Sequence, residues 1–213
     1  MIFLDRQQAG KALAEKLISF QGKKNTLVLG LPRGGVVIAF EIALSLGLPL
    51  DVIVTRKIGA PHNEELAIGA VDEMGNAVYN ESMIQMLKVP QQKIEAGKKK
   101  AEAEAKHRFE VYRQKKYPQN FKTLTVILAD DGLATGATMK TAVASAKLKG
   151  AKKIIIAVPV GSSNTVALLQ KEVNELICLH TSTDFGSVGA FYENFDPISE
   201  KEVLQLLAKI PSI

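Results

Sequence analysis

VILADDGLATGAT (Val126–Thr138) joins an apolar strand, two acids and a small-residue turn within thirteen residues. The unbroken apolar run predicts a strand buried on both faces, and its end delivers Asp130 and Asp131 to the carboxyl edge of a sheet. A Gly/Ala/Thr turn follows at once and enters a helix expected from about Gly136 to Leu148, closed by Gly150. Small residues let a backbone approach an anion closely. Free amides and the positive dipole end at a helix start favour phosphate. Ala134, Thr135, Gly136, Ala137 and Thr138 therefore read as a phosphate cradle, with two threonine hydroxyls as extra donors. Two carboxylates beside a phosphate repel it unless something compensates. A divalent cation, sugar hydroxyls or positive charge that develops during reaction could do so. A ribose phosphate losing a group from C1 offers all three.

Outward from this stretch, strand and helix alternate. Asp5 is a suitable N-cap for a helix over Arg6–Phe20, in which Ala9, Leu13 and Leu17 share a face. TLVLG (Thr26–Gly30) reads as a buried strand, LPRGG as a loop, Val36–Leu46 as a helix, and DVIVTRK (Asp51–Lys57) as the next strand. Ile58–Asn80 holds a loop and a hairpin, with MGNA as a tight turn. Glu81–Lys116 is helical but broken at Pro90, with Ile94, Ala101, Ala105, Phe109 and Tyr112 on one face. KKIIIAVPVG and ELICLHTS are further strands, separated by the helix SSNTVALLQKE. A last helix starts at Ser199, with Glu202 completing a capping box. This pattern predicts an α/β, doubly wound, mainly parallel sheet, with ligands at the carboxyl ends of its strands.

Charge narrows the choice of partner. The net charge of +5 is concentrated in Lys88–Lys116, which alone carries +6. Lysines there alternate with glutamates, and no arginine-rich or aromatic reading surface is evident, so a nucleic-acid partner is not expected. The segment reads as a solvated helix face or a homodimer contact. The single cysteine, Cys178, lies in an apolar run and reads as a small buried hydrophobe. No apolar run is long enough to cross a bilayer, and the N-terminus lacks the pattern of a secretory signal. A cytoplasmic protein is the expectation.

LADDGLATGAT resembles the motif with which type I phosphoribosyltransferases bind 5-phosphoribosyl pyrophosphate (PRPP). Gly132 departs from it, standing where many members carry a branched apolar residue. LPRGG, TRKIGAP and SVGAFYENF are similar to a phosphoribosyltransferase subgroup whose acceptor is unassigned. The resemblance implies a single domain over residues 1–213, with 81–117 as a helical insert outside the common fold and 181–196 as a hood. It makes Pro32, Arg33, Gly34 and Gly35 a pyrophosphate loop, supported by Arg56 and Lys57. It places a flexible catalytic loop at Gly59–Gly75, where His62, Glu64 and Glu65 are acid–base candidates. Phe185, Phe191 and Tyr192 become candidates for stacking an acceptor. Asp130 and Asp131 hold the ribose, with Mg²⁺ held near them through the ligand.

The implied reaction displaces pyrophosphate from C1 of PRPP with a nitrogen nucleophile, a nucleobase. A strand ending in two acids also occurs in nucleotide triphosphatases, but the chain has no G-x-x-x-x-G-K-[ST] and no G-x-G-x-x-G. A non-catalytic sensor of PRPP or nucleotides on the same fold is the other reading. Arg33, Arg56 and Lys57, which suit leaving-group chemistry, favour the enzyme.

Overall fold

A computed structural model describes residues 1–61, 63–112 and 120–210 of the chain, with backbone only at positions 64 and 65. In chain order its elements are α1 (Arg6–Lys16), β1 (Thr26–Gly30), α2 (Gly34–Leu46), β2 (Leu50–Val52), β3 (Thr55–Ala60), β4 (Asn63–Asp72), β5 (Ala77–Tyr79), α3 (Glu81–Met86), α4 (Gln91–Tyr112), β6 (Thr125–Ala129), α5 (Ala137–Leu148), β7 (Lys153–Ser162), α6 (Ser163–Gln170), β8 (Glu175–Ser182) and α7 (Glu200–Lys209). Short 3₁₀ turns cover Ile18–Phe20 and Val188–Phe191.

Five strands pair in parallel in the order β2-β1-β6-β7-β8. β1 and β6 are buried along their whole length, as continuous apolar runs require when both faces are covered. The chain leaves β1 toward β2 on one side and leaves β6 toward β7 on the other. Strand order therefore reverses between β1 and β6, the point beyond whose carboxyl ends open α/β sheets place their ligand crevice. The acid pair and the loop after β1 both fall there. The expected α/β, doubly wound, mainly parallel sheet is the fold observed.

Three expectations change. DVIVTRK is not one strand. β2 ladders with β1 only to the Gly30–Val52 pair, and the last bond runs from the Ile53 amide to the Gly30 carbonyl. Beyond it β1 turns away into its loop, so residues past Ile53 have no partner in this sheet. The chain then enters a second sheet, in which β3, β4 and β5 pair antiparallel. Arg56 and Lys57 consequently lie in β3, not at the ligand edge of the parallel sheet. Residues 59–75 are likewise mostly strand rather than an open loop, although MGNA does form the turn between β4 and β5. The first helix also stops at Lys16, its last expected turn tightening into the 3₁₀ segment.

The antiparallel sheet is bolted to α5 through Asp72, which is fully buried. Its carboxylate accepts from the Met74 and Asn76 amides at 2.9 Å, from Asn76 Nδ2 at 3.0 Å and from Ser145 Oγ at 2.7 Å. Beside it, Lys149 and Glu73 form a buried ion pair. On its other side α4 packs against β3 and β4. Its stripe joins two apolar clusters: Ile94 and Ala101 belong with Ile58, Ala60 and Ile68, while Ala105, Phe109 and Tyr112 belong to the main core. The expected helix therefore has the predicted buried face. The last residues of the 81–117 insert, from 113, lie outside the described residues.

Removing the Asp72 carboxylate orphans its buried donors. Asp72→Ala is expected to lower stability by about 3 kcal/mol, a fall of roughly 6–12 °C in Tm. Ser145→Ala, which deletes a single donor, is expected to cost only about 1 kcal/mol. Thermal and urea unfolding of the variants check both values.

Candidate active site at the strand-order reversal

β6 ends at Ala129, and Asp130 and Asp131 stand at its tip, both half-buried. Asp130 Oδ1 accepts the Asp131 amide at 2.9 Å. The start of α2 presses directly on the pair. A Cβ on Gly35 would sit 2.8 Å from Asp130 Oδ1, and one on Gly34 would overlap Asp131 Oδ2. Only glycine fits at either place, so the LPRGG sequence is needed for the loop after β1 to approach the acids at all. The Pro32–Arg33 peptide in that loop is cis, and the Arg33 side chain is exposed.

Two like charges so close need a counter-ion. Arg6, the first residue of α1, supplies it: Nε donates to Asp131 Oδ2 at 2.8 Å. Arg6 is buried to 8 % exposure, its Nη1 donates to the Asp196 carbonyl at 2.9 Å, and its guanidinium lies 3.8 Å from the Phe195 ring centroid. Tyr192 closes the other side, its hydroxyl donating to the Asp131 carbonyl oxygen at 2.7 Å. The N-terminal strand segment follows: Phe3 bridges to Tyr192. One arginine thus ties the chain's beginning, the acid pair and the segment after β8 together.

Asp130 is left with the heavier burden. Its Oδ1 lies close against Gly35, and burial, followed by the Asp131 charge, holds its carboxyl well above the usual carboxylate range; the Asp131 amide and Arg6 pull it down less strongly. A raised folded-state value means that ionising Asp130 opposes folding. That penalty is absent at acid pH and grows as pH rises through the ordinary carboxylate range.

The turn after the acids is open. Ala134, Thr135, Ala137 and Thr138 are exposed. Gly136 takes φ +71° as the N-cap of α5, and no side chain caps the helix there. The first amides of α5 therefore point outward without intrahelical acceptors, the arrangement expected of the phosphate cradle. The cradle is braced from α6, where Thr165 Oγ1 donates to the Ala134 carbonyl at 2.7 Å. Leu133 bridges to Gly161 of β7 and fixes the loop's course. Gly132 has its reason too: a Cβ would lie 2.6 Å from Val188 Cγ1, so the 3₁₀ turn fills the volume that a branched side chain would take.

A scan against protein families matches the phosphoribosyl transferase domain over residues 3–195. The chain belongs to this family. It is 40 % identical over 206 residues to Rv0571c of Mycobacterium tuberculosis H37Rv, a candidate phosphoribosyl transferase by name, covering 97 % of this chain and 46 % of that one. The chain thus spans about half the length of the curated relatives it matches. The crystal structure of TT1426 from Thermus thermophilus superposes with TM-score 0.85 at 36 % identity, with both chains wholly covered. AQ2163 from Aquifex aeolicus, at 9 % identity and TM-score 0.51 over 83 % of this chain and 74 % of that one, shares the fold.

The phosphoribosyl transferase domain thus brings Asp130, Asp131, Pro32–Gly35 and Ala134–Thr138 to one edge. Arg56 and Lys57 come from the second sheet and line a cavity of about 340 Å³ against α4. Phe185 and Phe191 stack on each other with centroids 5.0 Å apart, and His180 lies 5.6 Å from Phe191. Tyr192 differs from them: it is buried, packs on Phe3 and Phe195, and spends its hydroxyl on Asp131. Its role is to hold the site together. His62 and the side chains of Glu64 and Glu65 lie outside the described residues.

Sequence reasoning passed over Arg6 and Thr165. Arg6 carried a signal, because it continues the apolar stripe of Ala9 and Leu13, where a buried cation demands an acid. Cys178 is half-buried, and burial pushes its thiol up to about 11, which fits a packing role.

Arg6→Met leaves Asp131 beside Asp130 without its cation and is expected to cost about 3 kcal/mol in urea unfolding. Asp130→Asn removes the desolvated charge. This variant is expected to be at least as stable as wild type at pH 7, the difference shrinking as the pH falls through the ordinary carboxylate range. Melting curves across pH test the sign.

Proposed function

We propose that the crevice beyond β1 and β6 binds PRPP and transfers its phosphoribosyl group to a nitrogen nucleophile, a nucleobase. The observation that carries the reading is the meeting of an acid pair, an uncapped helix start and a glycine-lined loop at one strand-order reversal. The family of the chain agrees with it. The 5′-phosphate takes the amides and hydroxyls of Ala134–Thr138. The ribose hydroxyls donate to the carboxylates; Asp131 Oδ2 is engaged by Arg6, so its contact falls to Oδ1. The pyrophosphate lies toward Pro32–Gly35 and Arg33, whose planar guanidinium matches phosphate oxygens.

In the reaction the C1–O bond to pyrophosphate breaks and its electrons leave with the pyrophosphate. The acceptor nitrogen forms the new bond to C1 and loses its proton. Positive charge grows on the ribose meanwhile, next to Asp130 and Asp131, and fixed negative charge there stabilises it. Most of the catalysis is positioning and electrostatics. The acids also fit a divalent cation that draws its remaining ligands from PRPP and water, since no group of three or more His, Cys, Asp or Glu stands ready to cage one among the described residues. Asp130 and Asp131 would be the protein side of such a site, and Mg²⁺ there would supply charge neutralisation of the leaving group. Phe185 and Phe191, half-buried and stacked on each other, are the aromatics assigned to the acceptor ring in this reading.

The test is pyrophosphate release from PRPP and Mg²⁺ against a panel of nucleobases. Turnover with one or more is expected, and Asp130→Asn is expected to lower it by about 100-fold or more while the fold is kept. PRPP binding with no turnover anywhere in the panel favours the sensor reading. Failure to bind PRPP at all overturns the proposal.

A further inference from the structure

α2 reads GGVVIAFEIALSL, and Glu41 is its only charged residue. Glu41 is 6 % exposed. Its stem is pressed on α1: a Cβ on Gly10 would lie 2.7 Å from Glu41 Cβ. Among the described residues its carboxylate accepts no hydrogen bond and forms no ion pair; the Lys11 and Lys209 charges act on it from beyond contact distance. Burial accordingly raises its carboxyl from the ordinary value, with the Lys11 charge opposing. A buried carboxylate without a partner is costly, and native proteins rarely keep such a group without a use. A leucine would continue the apolar run of α2 at no such cost.

Glu41 lines a cavity of about 300 Å³ walled by α1, α2, α7 and the segment after β8, a volume at the lower end for ligand pockets. Four acids border it, Asp5, Glu41, Asp196 and Glu202, against two cations, Arg6 and Lys209. Two of the acids are already engaged. Asp5 Oδ1 accepts the Gln8 amide at 2.8 Å, and Glu202 Oε2 accepts the Ser199 amide at 2.8 Å and its hydroxyl at 2.6 Å. Arg6 is engaged as well, by Asp131 and the Asp196 carbonyl. The carboxylates of Glu41 and Asp196 have no partner among the described residues, the first buried and the second exposed. Between the charged groups, Val37, Ile198 and Leu206 supply apolar wall. This pattern sets the chemistry of an occupant. A carboxylate as buried as Glu41 admits only a slim group, and an unpaired carboxylate is best met by charged N–H donors. An ammonium on an aliphatic stem is both, a compact charge with three donors. No group of three or more His, Cys, Asp or Glu is gathered there to hold a bare metal ion, among the described residues.

We infer that this cavity binds a small aliphatic diamine, with one ammonium on the Glu41 carboxylate and the other on that of Asp196. The methylene stem lies along Val37, Ile198 and Leu206. Lys209 opposes a cation there, and its Nζ lies 5.7 Å from the Phe40 ring centroid; the four acids outweigh it and Arg6 together. The site does not rest on the PRPP reading, since neither the acid pair nor the Ala134–Thr138 turn lines it. Arg6 borders the cavity and also bonds Asp131, so one side chain separates the two sites.

The experiment is calorimetric titration of the full chain with three probes: 1,4-diaminobutane, 1-aminobutane and the uncharged butane-1,4-diol. The proteins are wild type, Glu41→Gln and Asp196→Asn. Wild type is expected to bind the diamine most tightly and the diol not at all. Glu41→Gln is expected to weaken both amines by about tenfold or more. Asp196→Asn, at the exposed end, is expected to weaken the diamine by about threefold and to leave the monoamine unchanged. Glu41→Gln removes a buried charge that has no partner, so its Tm is expected to equal or exceed that of wild type; this guards against misfolding as the cause. Wild type that binds neither amine overturns the inference, as does a diol affinity equal to that of the diamine. Wild-type amine affinity in Glu41→Gln overturns it too. An Asp196→Asn variant that treats the two amines alike removes the two-ended seat, and with it the diamine.

Discussion

Two carboxylates at the tip of one strand repel each other, and the protein must contain that repulsion before it can use it. Arg6 does so from the far end of the chain, and the way it does so sets much else. Because its guanidinium bonds Asp131, the Asp196 carbonyl and the face of Phe195, the first helix and the segment after β8 are both fixed relative to β6. The acids are then close enough to the start of α2 that only glycine fits at positions 34 and 35. An electrostatic requirement at one point therefore goes with a glycine-only start to the neighbouring helix α2 and with the docking of α1 and of the segment after β8.

The same crowding separates the roles of the two acids. Asp131 has a cation and a tyrosine-anchored backbone. Asp130 has burial and a like charge, so it carries more unfavourable energy when ionised. A ligand that brought hydroxyl donors or positive charge to this carboxylate would recover that energy. A site strained when empty is the usual trade of stability for function, and in the proposed site the strain is confined to one carboxylate.

What the sequence shows most clearly is what local patterning controls. TLVLG, VILAD, KKIIIAVPVG and ELICLHTS are apolar runs with no alternative to burial, and the caps at Asp5 and Ser199 are chemically complete within three residues. The placing of the acid pair and of the open turn into α5 was legible for the same reason, since strand, acids and turn are contiguous. DVIVTRK was not, because the point at which it stops pairing, Ile53, is set by where β1 ends, at Gly30, twenty-three residues earlier. The docking of the antiparallel sheet on Ser145 depends on a pair of residues seventy-three positions apart, and Arg6 meets Asp131 across one hundred and twenty-five. No local pattern encodes such distances. A charged residue on an otherwise apolar stripe announces that a partner exists, but not which one.

α4 has a mechanical meaning. Its buried stripe enters the small cluster under the antiparallel sheet with Ile94 and Ala101 and the main core with Ala105, Phe109 and Tyr112. It is a splint laid across two otherwise separable cores, and Asp72 on the opposite side is the rivet. A splinted pair melts as one cooperative body instead of shedding its smaller part first. A change in how the helix lies, at either end, is then felt at the other as leverage and not as local loosening.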